Sequence, residues 1–206
     1  FGDKMELRVK GPNITPGYHR RPELTAKMFD EEGYYLAGDA GRLVDPLDPA
    51  RGILFDGRIT EDFKLMTGTW VSTGTVRVNA IAAASPLIRD AVVTGSNRAD
   101  IGLLAWLNDA AGEQFLTGGG QPLSSPLILN PVIRARLVKD LAGYNTRNPG
   151  SSRCIRRIML MSEPPEIDAG EITDKGYINQ RAVQERRADL VERLYAESPD
   201  PEVILL

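Results

Sequence analysis

A cation on either side of an acidic bend, with a glycine near each, gives residues 55–72 the most suggestive chemistry in the chain. The stretch reads FDGRITEDFKLMTGTWVS. An Asp56-Gly57 turn signal leads into Arg58, and two β-prone runs, 63–66 and 69–72, flank Thr67-Gly68, a spacing that predicts a tight hairpin. Glycine lets backbone amides approach a ligand closely, and Arg58 and Lys64 offset negative charge, so the junction suits a polyanion. The same residues also serve as an ordinary surface hairpin whose charges are solvated and of little energetic consequence.

Other candidates are scattered more thinly. Asp39 closes a Gly-flanked turn in Tyr35-Leu36-Ala37-Gly38-Asp39, and Lys175 sits in a polar loop beside Gly176. Either pattern is also common as plain turn chemistry or a solvated lysine. Arg153, Arg156 and Arg157 form a cluster that suits a phosphate, or equally a solvated edge. Gly118-Gly119-Gly120 lacks the Lys-Ser or Lys-Thr pair of a phosphate loop and reads as a surface excursion. The single histidine, His19, reads as a partly buried loop residue with no catalytic role, and with one cysteine, Cys154, the chain offers neither a zinc cluster nor an internal disulfide.

The elements around these residues alternate between strand and helix. Met5, Leu7 and Val9 alternate with charged residues, the period of a strand with one buried face, and Gly11-Pro12 ends it. Pro22 suits the first turn of a short helix carrying Leu24 and Met28. Residues 30–45 read as turn, strand, turn, strand. Val78, Ile81 and Ala82 share one face of an alanine-rich helix over 76–85, ahead of Pro86. Apolar runs at 91–94, 103–107 and 155–161 are buried strands. Between them Asn130-Pro131 caps a helix with Ile133, Leu137 and Leu141, ending at Gly143. Val183, Leu190 and Leu194 mark the buried stripe of a last helix. Helices interleaved with a few short strands predict an α+β fold, with a C-terminal layer small enough to be a lid.

The order of the charged residues resembles the junction motif of adenylate-forming enzymes, the superfamily of acyl-CoA synthetases, luciferases and peptide-synthetase adenylation domains. Gly57-Arg58, Glu61-Asp62, Lys64 and Gly68 fill its places. DGRITEDFKL followed by TGTWVS is most similar to feruloyl-CoA synthases and related aryl-acid CoA ligases. GPNITPGYHRRPELTAKMFDEEGYY and PEIDAGEITDKGYINQRAV extend the resemblance over nearly the whole chain.

That resemblance implies a division of labour. Asp39 is the implied ribose-binding carboxylate, since two adjacent hydroxyls donate to one ionised carboxylate; Ala37 stands where the family usually has threonine. Arg58 is implied on the ribose or phosphate side of ATP, and Thr60 at the pivot, where Asp or Lys is usual. Lys64 and Gly68 are implied on the CoA side of the thioester step, with Gly68 one residue later than in the common pattern and the hairpin loop one residue longer. Lys175, after Pro165 and Gly170, is the implied catalytic lysine, without the usual glycine directly before it. Residues 1–57 are then the β-rich end of a large N-terminal AMP-binding domain, 58–62 a hinge and 63–206 the C-terminal lid. ATP with Mg2+ and CoA are the implied cofactors and an aromatic acid, ferulate or another hydroxycinnamate, the implied substrate. Medium-chain and benzoic acids remain open. Acyl-adenylate formation precedes thioester formation, and the small domain rotates between the two steps. With the adenine, acid and phosphate-loop pockets outside these residues, the 206-residue chain is expected to form no acyl-adenylate by itself. An adenylation domain loading a carrier protein, and a non-catalytic interaction module that keeps the fold, are the alternatives.

Composition sets outer limits. A formal charge of -3 and a pI near 5.3 give no basic field for nucleic acid. No apolar run approaches the roughly 20 residues needed to span a bilayer, and no secretory signal opens the chain. A cytoplasmic protein is expected.

Overall fold

The alternating residues near the start of the chain form one edge of a small antiparallel sheet. The computed structural model describes residues 5–117, 126–198 and 200–206, and the chain divides into two units, Phe1–Asp62 and Phe63–Leu206. The glycine run at 118–120 lies outside the described residues.

In the first unit β1 (Met5–Val9), β2 (Tyr35–Leu43) and β3 (Ile53–Arg58) lie in the order β1-β2-β3, all antiparallel. Helix α1 (Pro22–Lys27) has its proline in the first turn, as expected. Its expected apolar pair splits, with Met28 buried and Leu24 exposed. The expected buried face of β1 does not materialise either, because Met5 and Val9 stay exposed. Among the described residues of this unit, Met28 and Ala40 are the only buried apolar side chains, while Ile53, Leu54 and Phe55 of β3 face water. His19 is exposed rather than partly buried.

The second unit opens with a hairpin, β4 (Phe63–Lys64) and β5 (Trp70–Val71), and continues into α2 (Thr73–Ala83). Its main sheet has the order β6-β7-β8-β9, from β6 (Ile88–Thr94), β7 (Ile101–Leu107), β8 (Ile155–Met161) and β9 (Val203–Leu205). Only β7 and β8 are parallel. Every residue of β7 is buried, which is why it is apolar without alternation: both faces of the sheet are covered. On one face Ala91, Val93, Leu103, Ala105, Ile158 and Leu160 meet Val76 and Ala80 of α2 and Ile133, Leu137 and Leu141 of α4 (Pro131–Arg147). On the other, Val92, Leu104, Trp106 and Met159 meet Val183 of α5 (Gln180–Arg186) and Leu194 of α6 (Ala188–Leu194). Leading into α4, counted after the short α3 (Asp109–Thr117), Asn130 accepts from the backbone N–H of Val132 at 2.9 Å, the expected cap.

Three helices depart from their expected pattern. Helix α2 begins at Thr73 and buries Thr73, Val76 and Ala80, leaving Val78 exposed. Helix α4 runs through Gly143 to Arg147, because Tyr144 continues its buried stripe. The last helix is two, broken at Arg187, whose φ of -106° and ψ of 36° leave the helical region.

Candidate functional site

Asp39 and Arg58 are 19 residues apart in sequence and face each other directly across β2 and β3. The Arg58 Nε lies 3.5 Å from Asp39 Oδ1, with more than half of the arginine side chain and a third of the carboxylate exposed. So exposed a pair is weak and leaves carboxylate surface for another donor. The ladder shifts register just after this point, between Asp39 and Gly41, and such irregularities re-aim side chains at sites. Thr60 lies in the single 3₁₀ turn Ile59–Glu61 that follows β3.

The hairpin bearing Lys64 and Gly68 has a loop of residues 66–68. Leu65 N–H donates to Thr69 O at 2.9 Å and Gly68 N–H to Leu65 O at 2.8 Å. Gly68 has φ +80°, the left-handed conformation that the last residue of such a loop requires. Lys64 leaves the strand sideways and places its Nζ 5.0 Å from the centre of the Trp70 ring, a cation–π contact.

Lys175 occupies a loop of the same design. Thr173 N–H donates to Tyr177 O and Gly176 N–H to Thr173 O, both at 2.8 Å, with Gly176 at φ +80° and a bridge between Ile172 and Ile178 closing the base. The lysine is the middle residue of that turn and is exposed. Its polar surroundings are therefore a short ordered hairpin, which the sequence reading treated only as a polar loop.

Directly before the hairpin sits the best-buried charge pair among the described residues. The Glu171 side chain is fully buried and takes both arms of Arg187, at 2.7 Å from Nε and 2.9 Å from Nη2. Arg186 and the backbone N–H of Glu166 also reach its Oε2, at 3.1 and 2.8 Å. Arg187 further donates to the carbonyls of Glu163 and Pro164 and lies over Trp106. The Arg187 hydrogen bonds, aided by the Glu166 N–H and the nearby cationic charge, outweigh burial and hold Glu171 at about 2. A depressed carboxylate contributes stability that is whole above its ordinary range and is lost as pH falls through the folded value. We expect the gap in unfolding free energy between wild type and Glu171→Gln, about 3 kcal/mol near neutrality, to close between roughly pH 4.5 and 2. Urea titrations at stepped pH measure it.

Neither member of that pair was singled out from the sequence. The signal was present, because Arg187 falls on the stripe Val183, Leu190, Leu194 at helical spacing, and a charge on a buried stripe needs a buried partner. Arg157 is neither of the two things its cluster suits, a phosphate ligand or a solvated edge. Its guanidinium is taken by both oxygens of Asp100, each at 2.8 Å, and by Leu194 O at 3.0 Å, so of the arginine cluster only Arg153 and Arg156 remain exposed.

Among the described residues no group of three or more His, Cys, Asp or Glu could hold a metal, and no helix is long and apolar enough to cross a membrane.

A family model described as the AMP-binding enzyme C-terminal domain matches residues 65–199. The chain belongs to that family. Its mixed α+β fold is that of the C-terminal domain of adenylate-forming enzymes. A carboxylic acid reductase of Segniliparus rugosus is 30% identical over 194 residues, covering 93% of this chain and 15% of that protein. A putative fatty-acid–CoA ligase, fadD11, of Mycobacterium tuberculosis is 25% identical over 199 residues, covering 96% of this chain and 34% of that protein. The solved A domain of the Segniliparus rugosus reductase, in complex with AMP and a co-purified carboxylic acid, superposes with a TM-score of 0.73 at 27% identity, covering 94% of this chain and 28% of that one. The chain thus spans between a seventh and a third of the length of these relatives.

Proposed function

We propose that the chain is the C-terminal part of an ATP-dependent acid–CoA ligase acting on aromatic acids of the hydroxycinnamate kind, through an acyl-adenylate and then a thioester. The observation that carries this reading is the cross-strand pairing of Asp39 with Arg58. It sets an acceptor for a ribose diol beside a cation for phosphate, on a surface where the pair is weak enough to be exchanged for ligand. The sparse core of the first unit supports residues 1–57 being the end of a larger domain, with 58–62 as a hinge around Thr60.

Chemistry follows from the charges. A carboxylate has no good leaving group until it becomes a mixed anhydride, and its attack on the α-phosphate brings two anions together. The Lys175 ammonium offsets that crowding as the pyrophosphate leaves. In the second step a CoA thiolate attacks the acyl carbon and expels AMP, with Lys64 and Gly68 on the thiol side. The magnesium that accompanies ATP finds no ligand set among the described residues, and no step is assigned to it. A single buried cysteine suits a reducing cytoplasm.

A second reading has specific support. The 30% identity to a carboxylic acid reductase favours an adenylation domain that hands its acyl group to a carrier thiol in place of free CoA. One assay on the complete protein separates them: AMP and pyrophosphate production over a panel of aryl and aliphatic acids, with and without CoA. CoA-dependent turnover with hydroxycinnamates supports the ligase. Adenylation that stalls without a carrier supports the second reading. No acid-dependent ATP cleavage at all would leave a non-catalytic interaction module.

A further inference from the structure

Among the described residues the Lys175 ammonium has no ion pair of its own, so its position is set by the stems of its hairpin. Both stems are tied to elements that do not belong to the loop. On the N-terminal side Glu171 grips Arg187 at the break between α5 and α6, while its backbone accepts from Asn179 N–H at 2.9 Å. On the C-terminal side the tie is Gln180, the first residue of α5, buried to 3% exposure.

The Gln180 carboxamide does not cap its helix. Its Oε1 accepts from Val93 N–H at 2.9 Å and its Nε2 donates to Ala91 O at 3.1 Å. Strand β6 is one of the two outer strands of its sheet, and a primary amide carries the donor and acceptor that a neighbouring peptide would present. Gln180 thus stands in for one residue of a missing strand. Ala91 O also accepts from Arg77 Nε at 3.0 Å, so loss of the amide orphans chiefly the Val93 N–H, a costly outcome for a buried donor.

We propose that Gln180, with the Glu171–Arg187 pair opposite it, is a positioning residue that fixes the Lys175 hairpin to the sheet edge and presents the lysine for the carboxylate-activating step. The inference rests on the reading of Lys175 given above. Small misplacements of a charge acting on a transition state cost rate out of proportion to their size.

The test uses the complete enzyme with Gln180→Met, Lys175→Ala and the double variant. Adenylation is followed by acid-dependent pyrophosphate exchange, and thioester formation by CoA consumption from supplied acyl-adenylate. Gln180→Met is expected to lower the kcat of adenylation about tenfold or more with little change in KM for ATP or acid. Thioester formation is expected to stay at the wild-type rate. The double variant is expected to fall no further than Lys175→Ala, since there is no lysine left to position. Parallel losses in both half-reactions, or a double variant whose losses multiply, overturn the inference and leave Gln180 a structural residue. Should Gln180→Met not fold, Gln180→Asn, which keeps the amide and shortens the tie, is judged by the same split. If Lys175→Ala itself leaves adenylation intact, the reading beneath falls and this inference with it; if only the Gln180 variants do, the inference falls alone.

Discussion

Lys175→Ala in the complete enzyme is expected to slow acyl-adenylate formation by about a hundredfold or more, the scale on which one preorganised group matters to a developing charge. Thioester formation from supplied acyl-adenylate is expected to stay close to wild type. Under the role proposed for Lys175, the ammonium is needed only where carboxylate and phosphate oxygens meet, hence the expected contrast. The ordered turn between Thr173 and Tyr177 fixes the backbone that carries the lysine, so less ordering is left to be done at each turnover than in an unstructured loop. Lys175→Arg is expected to rescue poorly, since a planar fork does not replace a compact point charge. Single-turnover measurement of each half-reaction checks the claim, and near-equal losses in both would sink the role.

Removing Arg187 should have the largest effect on stability. Arg187→Ala takes from the buried Glu171 carboxylate its two-pronged partner, leaving Arg186 and the Glu166 N–H on Oε2, and deprives the Glu163 and Pro164 carbonyls of the same donor. Breaking a buried pair costs up to about 3–5 kcal/mol, and the contacts that remain from Arg186 and the Glu166 N–H put the expected loss toward the lower end, still enough to lower the urea midpoint substantially. Replacing both partners, Glu171→Gln with Arg187→Met, is expected to recover much of that loss, because the penalty lies in the uncompensated charge. If the double variant is as unstable as Arg187→Ala, packing against Trp106 rather than charge holds the corner.

What was legible in the sequence follows from how much of each signal is local. The apolar runs of β7 and β8 and the four-residue spacing of Ile133, Leu137 and Leu141 each announce burial without knowledge of the partner. Helix α2 was misread because alanines sit on several of its faces, so Val78 drew the stripe toward water while Val76 and Ala80 took the core. Strand β9 went unseen: three residues after Pro201 carry little periodicity, and their place is set partly by Arg134, whose guanidinium donates to the carbonyls of Pro201, Glu202 and Val203. The motif residues were named from their order alone. Glu171, Arg187 and Gln180 were not, since their meaning lies in partners up to 89 residues away.

Strand β9 also covers the edge of β8. Until it arrives, the apolar β8 offers an open row of donors and acceptors to any extended segment nearby, and such edges seed misassembly. Residues 203–205 close that edge by pairing with Arg157–Met159, and the edge left in its place is only three residues long, a poor template for a foreign strand.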